Sequence, residues 1–490
     1  MKEIVLSKLL KGLLIFFISS LLFQCTKNEK TANTSHISKE ELAMLPAKGP
    51  YFPVDERIIE DRWKVERFVV ELQKFSENPV MVKTKEIEGI GPLAGGTVLF
   101  DEKDSLYKIW YNVFDENAYK NRLPFSYNMC YAESKNGIYW EKPNLGLFDN
   151  RGRITKDNNA IKLGKEKTAS IDVEFNPSPN SSHDRFVAIH NDSGGVFVSY
   201  SEDGKYFNCS FDKPAVWYHS DTHNNFIYDE VRNRWIMYIR PRAFAGNGLE
   251  HVGRRRVAVI ESSDLKNWTH ERTVLTPEEG DPDNFYGMTV FRRGDVFFGQ
   301  LQIYETMTHH LYQELAWSGD GINWYRLPQS AQRIFLDVDK KNGWDRGMVM
   351  LFEKPVLIDD EMCFYYGGQD RAHDGYGKNG IGLATTKLDR LIGVKSIPDT
   401  LGRILTRPIK INGDLYINAK VDGEIRVEIR SAVRDESVEG YTAEECIPFN
   451  GDELNASISW EDKSLKDLKG NIVRLRFQLK DAELYSFDIR

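Results

Sequence analysis

"SSDLKNW" at residues 262–268 and "SGDGINW" at residues 318–324 share one pattern: Ser, any residue, Asp, then Leu or Gly, two more residues, and an aromatic. The Asp can cap a tight turn, a Gly in the fourth place supplies a positive φ, and the closing aromatic starts a strand. The pattern occurs twice more, as "SKNGIYW" (134–140) and "SEDGKYF" (201–207), so the steps between copies are 67, 61 and 56 residues. A second pattern, a charged turn followed by an aromatic strand, keeps step with the first. It reads "DSLYKIWYNVF" (104–114), "HDRFVAIHND" (183–192), "VRNRWIMYIRPR" (231–242), "GDVFFGQLQIY" (294–304) and "DEMCFYYGGQD" (360–370). With a weaker turn at "GLATTKLDR" (382–390), the two patterns count to five repeats of an elaborated four-stranded unit. A two-sheet sandwich has no need of so long a period. The expected fold is all-β: a five-bladed β-propeller over residues 46–400.

After Leu401 the chain alternates with period two, in "DLYINAKVDGEIRVEIRSA", "LNASISWED" and "IVRLRFQLKDAELYSFDI". A C-terminal β-sandwich over residues 401–490 is expected. It serves as a buttress, since only Trp460 and Tyr485 offer a glycan-binding surface. Residues 56–74 read as a helix or an edge strand.

The turns and their order resemble the five-bladed glycoside hydrolases of families 32 and 43, and most closely proteins described as family-32-like. The resemblance covers roughly residues 80–400. It implies a carbohydrate substrate and carboxylate chemistry. Family 32's Trp-Met-Asn-Asp-Pro-Asn-Gly, Arg-Asp-Pro and Glu-Cys motifs are not in position here, and "GDPDNFYG" (280–287) is a partial echo only. Fructan specificity is therefore not implied.

The first 25 residues read as an address. Lys2, Lys8 and Lys11 precede "LLIFFISSLLF", and "LLFQC" resembles a bacterial lipoprotein signal ending at Cys25, although Gln24 replaces the usual small residue. An ordinary secretion signal is the alternative. Residues 26–45 form a polar tether. The expected location is the cell envelope, periplasmic or outer-membrane surface, with the membrane reached through the lipid and the protein monomeric. Cys130, Cys209, Cys363 and Cys446 have no paired spacing and read as free thiols, with no metal site and no cofactor implied. A net charge of −8 argues against nucleic acid. The basic run Arg254-Arg255-Arg256 reads as a solvated loop or strand start, with a phosphate or sulfate contact as the alternative.

In a propeller the residues opening each innermost strand converge on the channel. Asp172, Asp221, Asp283 and Asp345, with Glu88 as a weaker fifth, stand just ahead of such strands. Asp281 competes with Asp283, and turn capping competes with each acid. Glycosidic cleavage needs one carboxyl to protonate the leaving oxygen and another to attack or to activate water. On this reading Asp221 is nucleophile or base, and the acid is Asp283 or Asp345. His223, Asn224 and Arg242 are candidates for gripping hydroxyls or an acidic sugar, and Tyr286, Trp344, Arg346 and His373 flank the acids. The expected function is an exported glycosidase acting on oligosaccharide ends. The alternatives are a non-catalytic glycan-binding lipoprotein or a glycoside phosphorylase, which would need a basic phosphate site beside the acids.

Overall fold

The structure is a computed structural model. It describes residues 49–490 apart from 150–151, 164–167, 193, 211, 222, 245–254, 342, 374, 376 and the side chain of Ser182. The signal segment, the tether and Cys25 lie outside the described residues. Contacts separate residues 1–42 from residues 43–490, and everything below concerns the second unit. The described chain is nearly all β. Its single α-helix is Glu116–Lys120, and no described helix is long and apolar enough to cross a membrane.

Antiparallel strands follow one another in compact groups. The first runs through Pro92–Asp101, Leu106–Phe114 and Tyr127–Ser134; the second through Ala169–Phe175, Phe186–Asp192, Gly195–Ser201 and Asn208–Cys209. The third comprises Asn225–Asp229, Arg234–Ile239, Val257–Ser262 and Arg272–Leu275. The fourth is built on Asn284–Arg293, Val296–Tyr304 and Leu311–Ser318, and the fifth on Met348–Leu351, Glu361–Gln369 and Asn379–Lys387. One parallel bridge, Leu311 with Met348, joins these last two.

The repeated turn forms as its sequence predicts. The Ser hydroxyl oxygen accepts the N–H of the fourth residue at 2.9 Å in all four copies: Gly137, Gly204, Leu265 and Gly321. The third residue's side chain then accepts two further N–H groups, as Asp320 does from Ile322 and Asn323 at 2.8 Å each. The fourth residue is left-handed in every copy, with φ between 61° and 75°. Glycine takes that conformation freely and Leu265 does not. In three copies the carbonyl of this residue also accepts a bond from an aromatic of another strand group. Gly137 takes Tyr365 Oη at 2.6 Å, Gly204 takes the Trp110 indole at 2.6 Å, and Gly321 takes Tyr238 Oη at 2.8 Å.

Alternate residues of one strand face different neighbours, as the pleat requires. Trp110 packs with Ile171 and Phe186 of the second group, whereas Ile109 and Tyr111 pack with Phe352 and Tyr365 of the fifth. The second group meets the third through Val187, Ile189, Trp235 and Met237, and the third meets the fourth through Tyr238, Val259, Phe285 and Leu301. Tyr286 and Leu311 of the fourth pack on Met348 and Met350 of the fifth. Each group thus covers the next, and the fifth returns to the first.

The C-terminal strands Leu415–Ser431, Phe449–Trp460 and Ile472–Ile489 lie in one nine-stranded sheet with Ile59–Trp63, Val65–Val69 and Ile392–Ser396. Residues 56–74 therefore contribute strands, not a helix. Trp460 and Tyr485 are buried, the Trp460 indole donating to Val427 O at 2.7 Å, so neither offers the glycan surface considered from the sequence. Gln73–Lys74 and Met81–Val82 pair with Asn379–Lys387 and complete the edge of the fifth group. Cys130, Cys363 and Cys446 are buried free thiols.

Candidate functional site

A cavity of roughly 400 Å³ opens where the first strands of the groups come together. Asp221, His223, Tyr286 and His373 of the sequence candidates line it. Amides (Asn191, Gln369) and a third histidine, His219, add hydrogen-bonding capacity, while the lining Asn112 is engaged with Ala94 O, Gly95 O and Ser170 N; Phe114, Tyr119 and Tyr127 form an aromatic side.

Among the described residues lining the cavity Asp221 is the only acid, and its side chain is 39% exposed. It pairs at 2.8 Å with Nη1 of Arg240, whose side chain is only 2% exposed. Arg240 also donates from Nη2 to Tyr286 O at 2.8 Å, so the guanidinium ties the acid to the neighbouring strand. Tyr286 Oη and His373 Nε2 are 2.7 Å apart. His223 Nδ1 meets Gln302 Nε2 at 2.5 Å, and its Nε2 is buried without a partner among the described residues. Burial pushes the His223 imidazole down to about 3, Asp221 opposing and Arg240 assisting. Burial also lowers His373, to about 4, with Arg255 the largest charge acting in the same direction. Both rings are therefore neutral near pH 7 and can accept as well as donate. Burial raises Tyr286 to about 12, so its hydroxyl stays protonated.

The floor carries backbone strain. Ser170 lines the cavity with φ 54°, and its Oγ is buried without a partner. It lies in a register shift between Ala169 and Asp172, and its N–H donates to Asn112 Oδ1 at 2.9 Å. Strained non-glycine residues gather at binding and catalytic sites. Gly95 has φ 88°, and a Cβ there would stand 2.4 Å from Asn112 Nδ2 and 3.0 Å from His223 Nε2. Only glycine lets that loop approach.

The other sequence candidates stand elsewhere, so four acids around one cavity is not what the described residues form. Asp172 follows the bulge and is fully buried off the cavity. It accepts Thr97 Oγ1 at 3.0 Å, and Asn225 Nδ2 and Phe226 N at 2.9 Å each. Burial, then Glu174, push it up to about 7. Glu353 is also fully buried, has no hydrogen bond to either carboxyl oxygen, and is raised well above the usual range by burial, then by Asp172 and Glu174. A neutral acid is the physically reasonable state for such a group.

Asp283 is exposed and outside the cavity lining. Its competitor Asp281 is claimed by Arg326 and Arg333 at 2.6 Å each. Asp345 accepts Lys74 Nζ at 2.7 Å and Tyr366 Oη at 2.8 Å, fastening the N-terminal edge strand to the fifth group. Glu88 is buried and accepts two backbone N–H groups, from Thr84 and Lys85, and Tyr111 Oη. Asn224 is used up internally, donating to Asn191 Oδ1 and Ser220 O. Arg242 lies 4.3 Å over the exposed Trp217 ring, Trp344 stacks on Tyr366, and Arg346 is exposed and donates to Asp370 O. Turn capping, the competing reading, describes only Asp281, which accepts Glu278 N at 2.9 Å; side-chain pairing, which the sequence reading did not weigh, accounts for Asp345 and for most of Asp281's contacts. Arg240, Asn112 and Gln369 escaped the sequence reading. Arg240 and Arg242 share a parity at the same strand end, which gave no means to choose between them.

No family model matches the chain. No curated protein matches it either. Among solved structures it is similar to a β-1,2-mannobiose phosphorylase from Listeria innocua, at 12% identity and TM-score 0.43, covering 65% of this chain and 97% of that one. An α-L-arabinofuranosidase from Podospora anserina aligns at 10% identity and TM-score 0.42, over 67% and 98%. A glycosyl hydrolase from Bacteroides ovatus aligns at 12% and 0.44, over 66% and 95%. The resemblance to glycoside hydrolases expected from the turns is thus present, alongside a phosphorylase. At this level of likeness the reaction has to be read from the cavity itself.

Proposed function

We propose that the protein is a carbohydrate-active enzyme that cleaves a glycosidic bond at the end of an oligosaccharide. The observation that carries this reading is the cavity. One carboxylate, Asp221, stands on a buried guanidinium within a wall of amides, neutral histidines and aromatic rings. Apolar rings with a few convergent polar groups suit a sugar, whose faces stack and whose hydroxyls need both donors and acceptors. A pocket admits a chain end more readily than the middle of a polymer. In this reading Asp221 attacks the anomeric carbon or activates water, while Tyr286 and His373 hold the sugar beside it.

The architecture in this proposal is a five-bladed propeller followed by a β-sandwich. Its support is the return of the fifth strand group onto the first. Export and anchoring at Cys25 belong to the same reading, and fatty-acid labelling that persists in Cys25→Ala would refute the anchor.

One observation favours a second reading. Direct hydrolysis requires two carboxyl groups, and among the described residues lining the cavity there is one. Phosphorolysis needs only one, as the acid that protonates the leaving oxygen, because phosphate replaces the second as the attacking group; in this second reading Asp221 is that acid. A panel of aryl glycosides and plant and marine oligosaccharides, incubated with and without phosphate, separates the two. Free sugar in both conditions supports hydrolysis, and sugar phosphate only with phosphate supports phosphorolysis. A panel bound without turnover leaves a glycan-binding protein.

A further inference from the structure

Arg255 stands two residues ahead of Val257–Ser262 and, without itself lining the cavity, packs on a ring that does. Its guanidinium carbon is 5.0 Å from the ring centre of Tyr286, which lines the cavity, and 5.3 Å from that of Tyr304. Arg240 stands 4.9 Å from the same Tyr286 ring. Two guanidinium groups therefore share one tyrosine, and the one carboxylate among the described lining residues, Asp221, pairs with Arg240.

Arg255 is partly buried, and among the described residues its guanidinium makes no ion pair and no hydrogen bond; its Nε is buried without a partner. Its backbone is well held, the N–H donating to Asn284 Oδ1 at 2.8 Å. A desolvated guanidinium is costly unless an anion or several acceptors replace its water. Ring faces offset only part of that cost. Nearby His373 is neutral, does not compete for an anion by charge, and can donate to one.

We propose that Arg255, beside Tyr286, forms an oxyanion-binding subsite of the cavity, so that the preferred ligand carries a negative group. This rests on the reading of the cavity as a glycan site and narrows its substrate class. The planar fork of an arginine fits two oxygens of a carboxylate or a phosphate. The two sources of that chemistry are an acidic sugar, with its carboxylate at C6, and free inorganic phosphate.

Calorimetric titration of the full chain at low salt tests this with matched pairs that differ only at C6: galacturonate with galactose, and glucuronate with glucose. Inorganic phosphate is the third probe. The acid of at least one pair should bind at least tenfold more tightly than its neutral partner. Arg255→Gln should reduce that preference to about twofold, and Arg255→Lys should keep only part of it, because an ammonium cannot bind two oxygens as a fork. Saturable phosphate binding that Arg255→Gln abolishes, without preference for either acid, supports the same subsite and assigns the oxyanion to phosphate. Equal binding within both pairs together with no phosphate binding overturns the proposal. So does an anion preference that survives Arg255→Gln with an unchanged thermal midpoint. Turnover of neutral glycans that depends on Asp221, without any anion preference, removes the subsite and leaves the proposed function standing. Anion binding without turnover of any panel member does the reverse.

Discussion

Asp172 and Asp221 show how position on a strand decides what a carboxylate can do. Asp221 precedes its inner strand, Asn225–Asp229, whereas Asp172 lies within Ala169–Phe175, where the bulge between Ala169 and Asp172 turns its carboxyl into the protein interior. Its folded carboxyl holds a proton up to about pH 7, whereas the ordinary value is 3.8. Between these limits the folded state binds one more proton than the unfolded chain, so Asp172's contribution to stability falls as pH rises. Asp172→Asn mimics the neutral form. The variant's stability relative to the parent should therefore climb between about pH 4 and pH 7, by an amount on the order of a few kcal/mol. Urea midpoints collected across that range would show it, and parallel curves for the two proteins would mean that Asp172 is ionised in the fold. Asp221 differs, being half-exposed and set on Arg240. The pair also means that neutralising Asp221 strands a buried guanidinium, so Asp221 variants should lose some stability as well as rate.

At the scale of the element, the four-residue turn is the unit that the sequence wrote most plainly. Ser and Asp side chains each take up N–H groups of the following residues, and the fourth position adopts a positive φ. Because the acceptor side chains are local, the pattern is readable without knowing what packs against it. Asp320→Ala removes two bonds of 2.8 Å from Ile322 and Asn323, at a turn whose Gly321 carbonyl holds Tyr238 of the preceding group. A loss of about 1–3 kcal/mol is expected, since these bonds go to a charged acceptor. Burial opposes but does not outweigh the N–H bonds that hold the Asp320 carboxyl below the ordinary carboxylate range, so its contribution is present above the unfolded value and disappears as pH falls through the folded one. The parent and Asp320→Ala should accordingly differ most in thermal midpoint near neutrality and converge in acid. A difference that stayed constant into acid would place the effect in lost packing.

For the whole molecule, the all-β character and the turn spacing were legible because period-two alternation and turn chemistry are local signals. Asp221 and His223 stand just ahead of Asn225–Asp229, and Tyr286 near the start of Asn284–Arg293, so a reading of strand openings could place them at the cavity they line; His373, in the turn after Glu361–Gln369, enters the sequence reading only as a neighbour of the candidate acids. The remaining acids misled because an Asp ahead of a strand looks the same whether it faces a cavity or a lysine from the far end of the chain, as Asp345 faces Lys74. Glu353 was hidden for the opposite reason: within the strand-like run "MVMLFEKP" it gave no sign that its carboxyl has no partner. The joining of Val65–Val69 to the C-terminal sheet is likewise a long-range event that no short window reveals.

All of these placements serve one claim, that the cavity cleaves glycans through Asp221. The most direct measurement is turnover of the best panel substrate by Asp221→Asn and Asp221→Ala, assayed well below each variant's thermal midpoint, with azide added to the alanine variant. The account predicts a loss of about 10³-fold or more in kcat/KM for both, with azide restoring turnover of the alanine variant and yielding a glycosyl azide, as an external nucleophile replaces the missing carboxylate. A folded Asp221→Ala protein that retained turnover within about tenfold of the parent would contradict it.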